Sequence, residues 1–276
     1  MSHLPSSPAT AARVSFIGAG PGAADLITLR GAQALARAQV VLFDALSDPV
    51  LRDLAPQAEW VDVGKRGFAQ ATAQERINAL LVHHARSGAV VARLKGGDPS
   101  IFGRLEEELI ALGEAGITYE VIPGVTAALA AAAANGRPLT RRGLGRSLAF
   151  STAMTADQEL RANQRADTEV FYMAGRQLAK LSRRLLEAGW PAEAPVNVVS
   201  RAGWPDQLSS DHQVHSLAAA CVMHAGRPTV VTVGIGATPV LAQGQGSAAL
   251  SASPDPAPPQ HACPIEGHQA TGPDTP

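Results

Sequence analysis

Two glycine-rich turns are the segments of this sequence whose residue types most suggest a ligand site. The first reads GAGPG over residues 18–22, after the apolar run VSFI, and the second reads GGDP over residues 96–99, after VVARLK. Glycine lets a backbone approach a ligand closely, because it has no side chain and accepts positive φ. Open parallel sheets bind ligands at the carboxyl ends of their strands. The two turns therefore predict a small-molecule site at one sheet edge.

The first turn partly fits the fingerprint of a dinucleotide-binding site. Gly18, Gly20 and Ala23 have the spacing G-x-G-x-x-A, and Asp44 follows the next apolar run, where an acid that binds a ribose hydroxyl would stand. Pro21 weakens this interpretation, because proline removes a backbone N–H from the part of the turn that would bind a pyrophosphate. The turn indicates either a dinucleotide or a ligand that needs less anion binding.

The second turn has a structural interpretation beside the functional one. Asp98 suits a helix N-cap and Pro99 suits the first helical position, so the segment predicts a helix that begins at Pro99. The apolar positions of that helix are Ile101, Phe102, Leu105 and Leu109. In this interpretation Asp98 caps the helix and contacts no ligand.

Composition and charge exclude several classes of protein. The 276 residues are 46% apolar, which is enough for a sizeable core in one large domain or two ordinary ones. Because 23 basic residues balance 24 acidic ones, no long-range field favours nucleic acid or a membrane surface, and any anion recognition must be local. The only cysteines, Cys221 and Cys263, are too few for a disulfide framework or a four-cysteine zinc site. The sequence lacks a signal-peptide core and any run of about 18 apolar residues, so we expect a soluble cytoplasmic protein.

Short β-branched runs alternate with helical patterns along the chain. In the first part these runs are VSFIG, VVLFD, WVDVG, AVVARL and YEVIP, and in the second part they are SLAFS, TEVFYM, APVNVVS and RPTVVTVG. The alternation in the first part predicts an α/β fold with parallel strands and crossover helices, and the second part repeats the pattern less cleanly. We place one α/β domain over residues 13–123 and a second over residues 124–243. Residues 1–12 and 244–276 lack apolar periodicity and are predicted to be disordered.

Taken together, the motifs resemble the tetrapyrrole methyltransferases, and within them the uroporphyrinogen-III C-methyltransferase branch. The resemblance runs from Val14 to Gly236 in the family's order. It is carried by the segments GAGPGAADLITLRG, VVLFD, VGKRG, QERINALL, RLKGGDPSIFGR, YEVIPGVTAALAAAA, PLTRR, FYMAG and RPTVVTVG. It implies two α/β domains of the tetrapyrrole methylase type, with the active-site cleft between them.

The resemblance also implies that S-adenosylmethionine binds compactly in this cleft. The cofactor contacts then fall at Pro21, Gly96, Gly97, Asp98, Ile101, Thr126, Ala127, Met173 and Ala202. S-adenosylmethionine has hydroxyls, an amine, a carboxylate and ring nitrogens but no pyrophosphate. Asp98 suits a ribose hydroxyl or the amine, and Ile101 suits an apolar wall. From its side chain alone, Met173 has a second interpretation as a core residue that closes a strand.

The implied reaction is methylation of uroporphyrinogen III at two pyrrole carbons, which gives precorrin-2 through precorrin-1. A proton must leave the methylated carbon, and the resemblance assigns Asp44 as proton acceptor and Lys65 as proton donor. The substrate carries eight carboxylates, for which we expect Arg66, Arg104 and Arg142 as partners. Lys65 and Arg66 have a second interpretation as a solvated surface pair. The resemblance implies a homodimer and no metal.

Four segments depart from the pattern that is usual in the family. Leu105 and Glu106 stand where two glycines are common, and Gln70 stands where histidine is common. The segments FSTAMTA and RAGWPDQ replace a Thr-Gly-His motif and a Gly-Thr motif. We expect these departures to affect the geometry of substrate binding and the rate of turnover, while the cofactor-binding core is retained.

Three alternatives therefore stay open. They are a methylase of a later precorrin, a nicotinamide- or flavin-dependent oxidoreductase, and a tetrapyrrole- or cofactor-binding protein without activity. The length also predicts that the dehydrogenase and ferrochelatase module of fused sirohaem synthases is absent. A metal at His261, Cys263 and His268 would be adventitious, because these residues lie in the tail.

Overall fold

Two five-stranded sheets, one parallel and one mixed, form the frame of the structure. The computed structural model describes residues 13–44, 47–64, 70–153 and 166–240, and within the third range it describes side chains from residue 74 onward. The α/β class predicted from the sequence is confirmed, with the first sheet formed before residue 123 and the second after residue 147.

The first sheet is entirely parallel and has the order β3-β2-β4-β1-β5. Its strands are β1 (Val14–Gly18), β2 (Val40–Phe43), β3 (Glu59–Asp62), β4 (Val91–Lys95) and β5 (Tyr119–Ile122). Its helices are α1 (Leu29–Ala36), α2 (Gln70–Arg86) and α3 (Leu105–Glu114). Because β1 and β4 are neighbours, the turns that follow them lie side by side at one edge of the sheet, as the sequence predicted.

Successive side chains along the strands of the first sheet point to opposite faces, so its apolar core consists of two layers. Ile17 and Leu94 pack with Leu35 of α1 on one face. Phe16 and Leu42 pack with Leu81 of α2 and with α3 on the other face. Strands that are buried on both faces are expected in a parallel sheet covered by helices.

The second sheet has the order β6-β7-β10-β8-β9, in which only β6 and β7 pair in parallel. Its strands are β6 (Leu148–Thr152), β7 (Thr168–Tyr172), β8 (Pro195–Ser200), β9 (Leu208–Gln213) and β10 (Thr229–Gly234). The associated helices are α4 (Ala127–Ala134), α5 (Leu178–Glu187) and α6 (Cys221–His224). The polar edge strand β9 was not predicted, because its sequence LSSDHQ contains no β-branched run.

The helix predicted to begin at Pro99 instead begins at Leu105. Residues 99–103 form turns, and Phe102 and Arg104 both have φ of 52°, in the left-handed region that breaks a right-handed helix. The Asp98 carboxylate accepts a hydrogen bond from Ser100 N, so the capping interaction exists without the helix that it would start. Over the described residues no helix is long and apolar enough to cross a membrane.

Candidate active site

A pocket lies between the two sheets, where the turns that follow β1, β4 and β5 face the ends of β7 and β8. The connections that follow β1, β4 and β5 contribute residues 20–21, 96–98, 101–102 and 126–127 to the lining. The second sheet contributes residues 172–173, 199, 201–202, 204 and 228–230. Segments far apart in the sequence therefore form one concave site, as expected for a small-molecule ligand.

Three glycines bring the turns that follow β1, β4 and β5 into backbone contact. A Cβ on Gly124 would lie 2.3 Å from the Gly97 carbonyl oxygen, and one on Gly18 would lie 2.5 Å from Gly124 Cα. Gly20 and Gly97 also exchange two backbone hydrogen bonds, of 3.3 and 2.7 Å. The glycines are therefore required for the packing of the turns, and the packed turns form the base of the pocket.

The first turn has few N–H groups left for an anion. The N–H groups of residues 19, 20, 23 and 24 donate to Lys95 O, Gly97 O, Gly203 O and the Asp48 carboxylate. Pro21 has no N–H, and the turn leads into a three-residue 3₁₀ segment, Ala24–Leu26, while α1 begins only at Leu29. A pyrophosphate site needs free N–H groups and a helix N-terminus at the turn. This geometry disfavours the dinucleotide interpretation.

Asp98 ties two turns of the pocket together. Its Oδ1 accepts from Ser100 N at 2.8 Å and its Oδ2 accepts from Gly124 N at 2.9 Å. A carboxylate can accept about four hydrogen bonds, so Asp98 retains acceptor capacity in a pocket that it lines. The structural and ligand-binding interpretations of Asp98 are therefore compatible.

Tyr172 is a pocket residue that the sequence analysis did not single out, although it stands beside Met173 in the segment FYMAG. Its hydroxyl lies 2.7 Å from Thr126 Oγ1, and its ring lies 5.1 Å from that of Phe102, centroid to centroid. Burial raises the pKa of Tyr172. The hydrogen bond between Tyr172 and Thr126 thus joins the end of β7 to the residue that precedes α4.

Three residues of the pocket lining have strained backbones. Phe102, Met173 and Arg201 have φ of 52°, 58° and 52° although none is glycine. Such conformations cost about 1–3 kcal/mol each and concentrate at functional sites. Met173 is 42% exposed, so its interpretation as a core residue is wrong.

Trp204 lines the pocket and contacts both sides of it. Its indole N–H donates to the Pro21 carbonyl oxygen at 3.2 Å, and the Arg201 guanidinium carbon lies 4.3 Å from the centre of its ring. A Cβ on Gly22 would lie 2.5 Å from Trp204 Cδ1, so glycine is required there as well. The sequence analysis noted the segment RAGWPDQ only as a departure, and the aromatic residue within it was the available signal.

Asp44 belongs to a separate polar network at the same sheet edge. Its Oδ1 accepts from Arg93 Nη2 at 2.9 Å, and 32% of its side chain is exposed. Arg93 also pairs with Glu108 at 3.0 Å, and Glu108 pairs with Lys95 at 2.6 Å. Asp44 does not line the pocket, and its predicted partner Lys65 lies outside the described residues.

Burial and neighbouring charges shift the pKa values of the two cations in opposite directions. Burial and the nearby Arg93 charge lower the pKa of Lys95. Burial by itself would lower the pKa of Arg93. The carboxylates of Asp44 and Glu108 outweigh this effect, so the pKa of Arg93 is raised. Arg93 therefore remains a cation beside Asp44.

Comparison with known proteins identifies the family. A model of the tetrapyrrole (corrin/porphyrin) methylases matches residues 13–218, well over half of the chain. The chain belongs to the tetrapyrrole methylase family. The family inferred from the motifs is therefore confirmed.

Curated relatives of this tetrapyrrole methylase are named either uroporphyrinogen-III C-methyltransferase or siroheme synthase. The uroporphyrinogen-III C-methyltransferase of Bacillus subtilis is 41% identical over 206 residues, which are 71% of this chain and 42% of that protein. The protein of the same name from Pseudomonas aeruginosa is 38% identical over 231 residues, 80% of this chain and 93% of the relative. The structure of uroporphyrin-III C-methyl transferase from Thermus thermophilus, complexed with S-adenyl homocysteine, is 36% identical and has a TM-score of 0.71, covering 81% of this chain and 98% of that one. This chain thus spans less than half of the Bacillus relative and nearly all of the other two.

The methylase pocket includes all the positions predicted to contact a cofactor. These are Pro21, Gly96, Gly97, Asp98, Ile101, Thr126, Ala127, Met173 and Ala202. The lining residues that the sequence analysis missed as ligand contacts include Phe102, Tyr172, Val199, Arg201 and Trp204.

Two of the three predicted substrate-binding arginines of the methylase are not brought into this pocket. Arg104 pairs with Glu107 at 2.6 Å and Arg142 is exposed, and neither belongs to the pocket lining. Arg66 lies outside the described residues. Within the described ranges, no three His, Cys, Asp or Glu side chains come together as a metal site.

Proposed function

We propose that this methylase transfers methyl groups from S-adenosylmethionine to two pyrrole carbons of uroporphyrinogen III, giving precorrin-2 through precorrin-1. One observation carries the proposal: the nine positions predicted to contact S-adenosylmethionine, drawn from both sheets, line one pocket. The name uroporphyrinogen-III C-methyltransferase, carried by the Bacillus and Pseudomonas relatives, agrees with this chemistry.

The pocket residues fit S-adenosylmethionine better than a dinucleotide. Ile101, Val199 and Trp204 offer apolar walls for an adenosyl group. Asp98 offers acceptor capacity for a hydroxyl or an amine, while the first turn has no N–H at Pro21 for a phosphate. The bound cofactor would supply a methyl group that is already activated by its sulfonium. The protein then has chiefly to hold the carbon nucleophile in line with that group.

Asp44 is proposed as the proton acceptor and Lys65 as the proton donor of the reaction. Asp44 directly follows β2, so it lies at the same carboxyl edge of the parallel sheet as the turns after β1 and β4. Its side chain is 32% exposed, which leaves the carboxylate accessible to a substrate above the sheet. Arg66, Arg104 and Arg142 are proposed to bind substrate carboxylates by charge-assisted hydrogen bonds.

The experiment is anaerobic incubation of the protein with uroporphyrinogen III and labelled S-adenosylmethionine, followed by mass measurement of the tetrapyrrole. A gain of two methyl groups is the expected result. Cofactor binding without transfer to uroporphyrinogen III would contradict the substrate assignment, and transfer to a later precorrin would replace it. Arg142→Ala should raise the KM for the tetrapyrrole and leave the cofactor Kd unchanged.

We also propose domain limits of 13–123 and 124–243, a homodimer and a cytoplasmic location. The two sheets lie on either side of the limit at residues 123 and 124, which supports the division. Light scattering of the purified protein tests the dimer, because a monomer mass at micromolar concentration would contradict it.

A further inference from the structure

We infer that Arg93 is a positioning residue for Asp44, and that the buried Glu108 holds Arg93 in the required orientation. The inference rests on the proposed function, in which Asp44 accepts the proton. A continuous series of ion pairs, from the partly exposed Asp44 through Arg93 and Glu108 to the buried Lys95, carries it.

The register of the sheet sets the starting point of this series. In the pairing of β2 with β4, Leu42 lies opposite Arg93, so Arg93 is below the level of Asp44. Its side chain reaches upward to the Asp44 carboxylate at 2.9 Å. Arg93 is buried, and the helices α2 and α3 cover this face of the sheet.

All three guanidinium nitrogens of Arg93 donate hydrogen bonds. Nη2 binds Asp44 Oδ1 at 2.9 Å, Nε binds Glu108 Oε1 at 3.0 Å and Nη1 binds the Leu94 carbonyl oxygen at 3.0 Å. A planar guanidinium with a contact at each nitrogen has one orientation. The direction of the Nη2–H bond then determines where the Asp44 carboxylate lies.

Glu108 is itself held from two sides. It is fully buried, with Arg93 on Oε1 at 3.0 Å and Lys95 on Oε2 at 2.6 Å. Two cations and two carboxylates balance the charge of the network. Asp44 is its only member with substantial exposure, since the side chains of Arg93, Lys95 and Glu108 are 3%, 4% and 0% exposed. An apolar core of the same volume would often be as stable as a buried ionic network, which favours a functional reason for this one.

The test is the variant Arg93→Gln, which leaves Glu108 paired with Lys95. We expect kcat to fall about 10- to 100-fold through misplacement of Asp44, while the Kd for S-adenosylmethionine and the KM for uroporphyrinogen III stay within about twofold. Arg137→Gln is the matched control, because Arg137 forms a two-bond pair with Asp211 on the second sheet. Its kcat should equal that of the wild type.

A double variant separates positioning from a general structural effect. If Arg93 acts through Asp44, adding Arg93→Gln to Asp44→Asn causes no further loss of kcat. Arg93→Lys should restore part of the activity, because it keeps a cation within reach of the carboxylate. Unchanged kcat in Arg93→Gln, or equal losses from it with and without Asp44, would overturn the inference. If Arg93→Gln does not fold, Arg93→Lys is measured by the same criteria, and wild-type kcat in that variant would overturn it.

The outcome also distinguishes this inference from the proposed function. A wild-type protein that methylates no uroporphyrinogen III contradicts the proposed function alone. The crystal structure of Arg93→Gln then decides the inference: a displaced Asp44 carboxylate supports it, and an unmoved one overturns it.

Discussion

The indole N–H of Trp204 donates a hydrogen bond to the Pro21 carbonyl oxygen across the pocket, over 3.2 Å. Pro21 follows the first strand of the parallel sheet, whereas Trp204 follows a strand of the mixed sheet. This contact joins the two sheets at the position where the ligand is proposed to bind. Trp204 therefore contributes both to the wall of the pocket and to the distance between its sides.

Replacement of Trp204 should weaken cofactor binding. We expect Trp204→Ala to raise the Kd for S-adenosylmethionine at least about tenfold, about 1.4 kcal/mol, since it removes apolar wall and a bond between the sheets. Trp204→Phe keeps most of the wall and should cost about 1 kcal/mol or less. Titration calorimetry measures both. Trp60→Phe is the control, because Trp60 also donates to a backbone carbonyl, that of Ala55, but does not line the pocket; an equal loss in this control would contradict the prediction.

A methyl group at Gly124 should disrupt the packing of the turns. Its Cβ would lie 2.3 Å from the Gly97 carbonyl oxygen and 2.7 Å from Gly18 Cα, and these backbone atoms have little freedom to move. We expect Gly124→Ala to lower the free energy of unfolding by about 2 kcal/mol. Gly113→Ala is the control, because Gly113 lies in α3 with nothing within 4 Å of the added carbon. It should be neutral or stabilising by about 0.5–1 kcal/mol, as measured by urea denaturation, and similar losses in both variants would contradict the explanation.

Glu108 should be far more important for stability than its neighbour Glu107. Glu108→Gln leaves the buried cations of Arg93 and Lys95 without the carboxylate between them, which should cost about 3–5 kcal/mol. Glu107 pairs with Arg104 at the surface, where its side chain is 46% exposed, so Glu107→Gln should change stability by no more than about 1 kcal/mol. Thermal and urea unfolding of the two variants measure the contrast. Equal losses of stability in Glu108→Gln and Glu107→Gln would show that the buried network contributes no more than the surface pair.

His224 should make the protein less stable in acid. It is fully buried, and its ring nitrogens lie 2.9 Å from Ser200 Oγ and 2.8 Å from Ser210 Oγ. Burial, followed by the charges of His212 and Arg227, lowers the pKa of His224 from 6.5. Below about pH 6.5 the unfolded chain therefore binds a proton that the folded protein resists, and stability falls as pH decreases toward the folded-state value.

The variant His224→Gln tests this dependence. It should lose less stability than the wild type between about pH 7 and pH 5, because one group that resists protonation is gone. Urea midpoints measured at intervals across that range give the comparison. If the urea midpoint of His224→Gln falls with decreasing pH as steeply as that of the wild type, other groups cause the acid sensitivity.

The parallel sheet could be predicted from local sequence, whereas the mixed sheet could be predicted only in part. Runs such as VSFIG and VVLFD are buried on both faces and bounded by turns, and these features are local. The edge strand Leu208–Gln213 has a polar sequence and forms by pairing with Pro195–Ser200, which is a long-range interaction. The late start of the helix at Leu105 likewise depends on the positive φ of Phe102 and Arg104, which their residue types do not favour.

By itself, the sequence determined the family, the α/β class and the positions of the turns that line the pocket. These follow from residue types at short spacing, because glycine, proline and alternating apolar residues act on the backbone next to them. Only the tertiary structure decided which distant side chains meet: Tyr172 with Thr126, Trp204 with Pro21, and Arg93 with Asp44 and Glu108. These pairs depend on strand register and on the loops of one sheet meeting the strand ends and loops of the other, and no local pattern contains either.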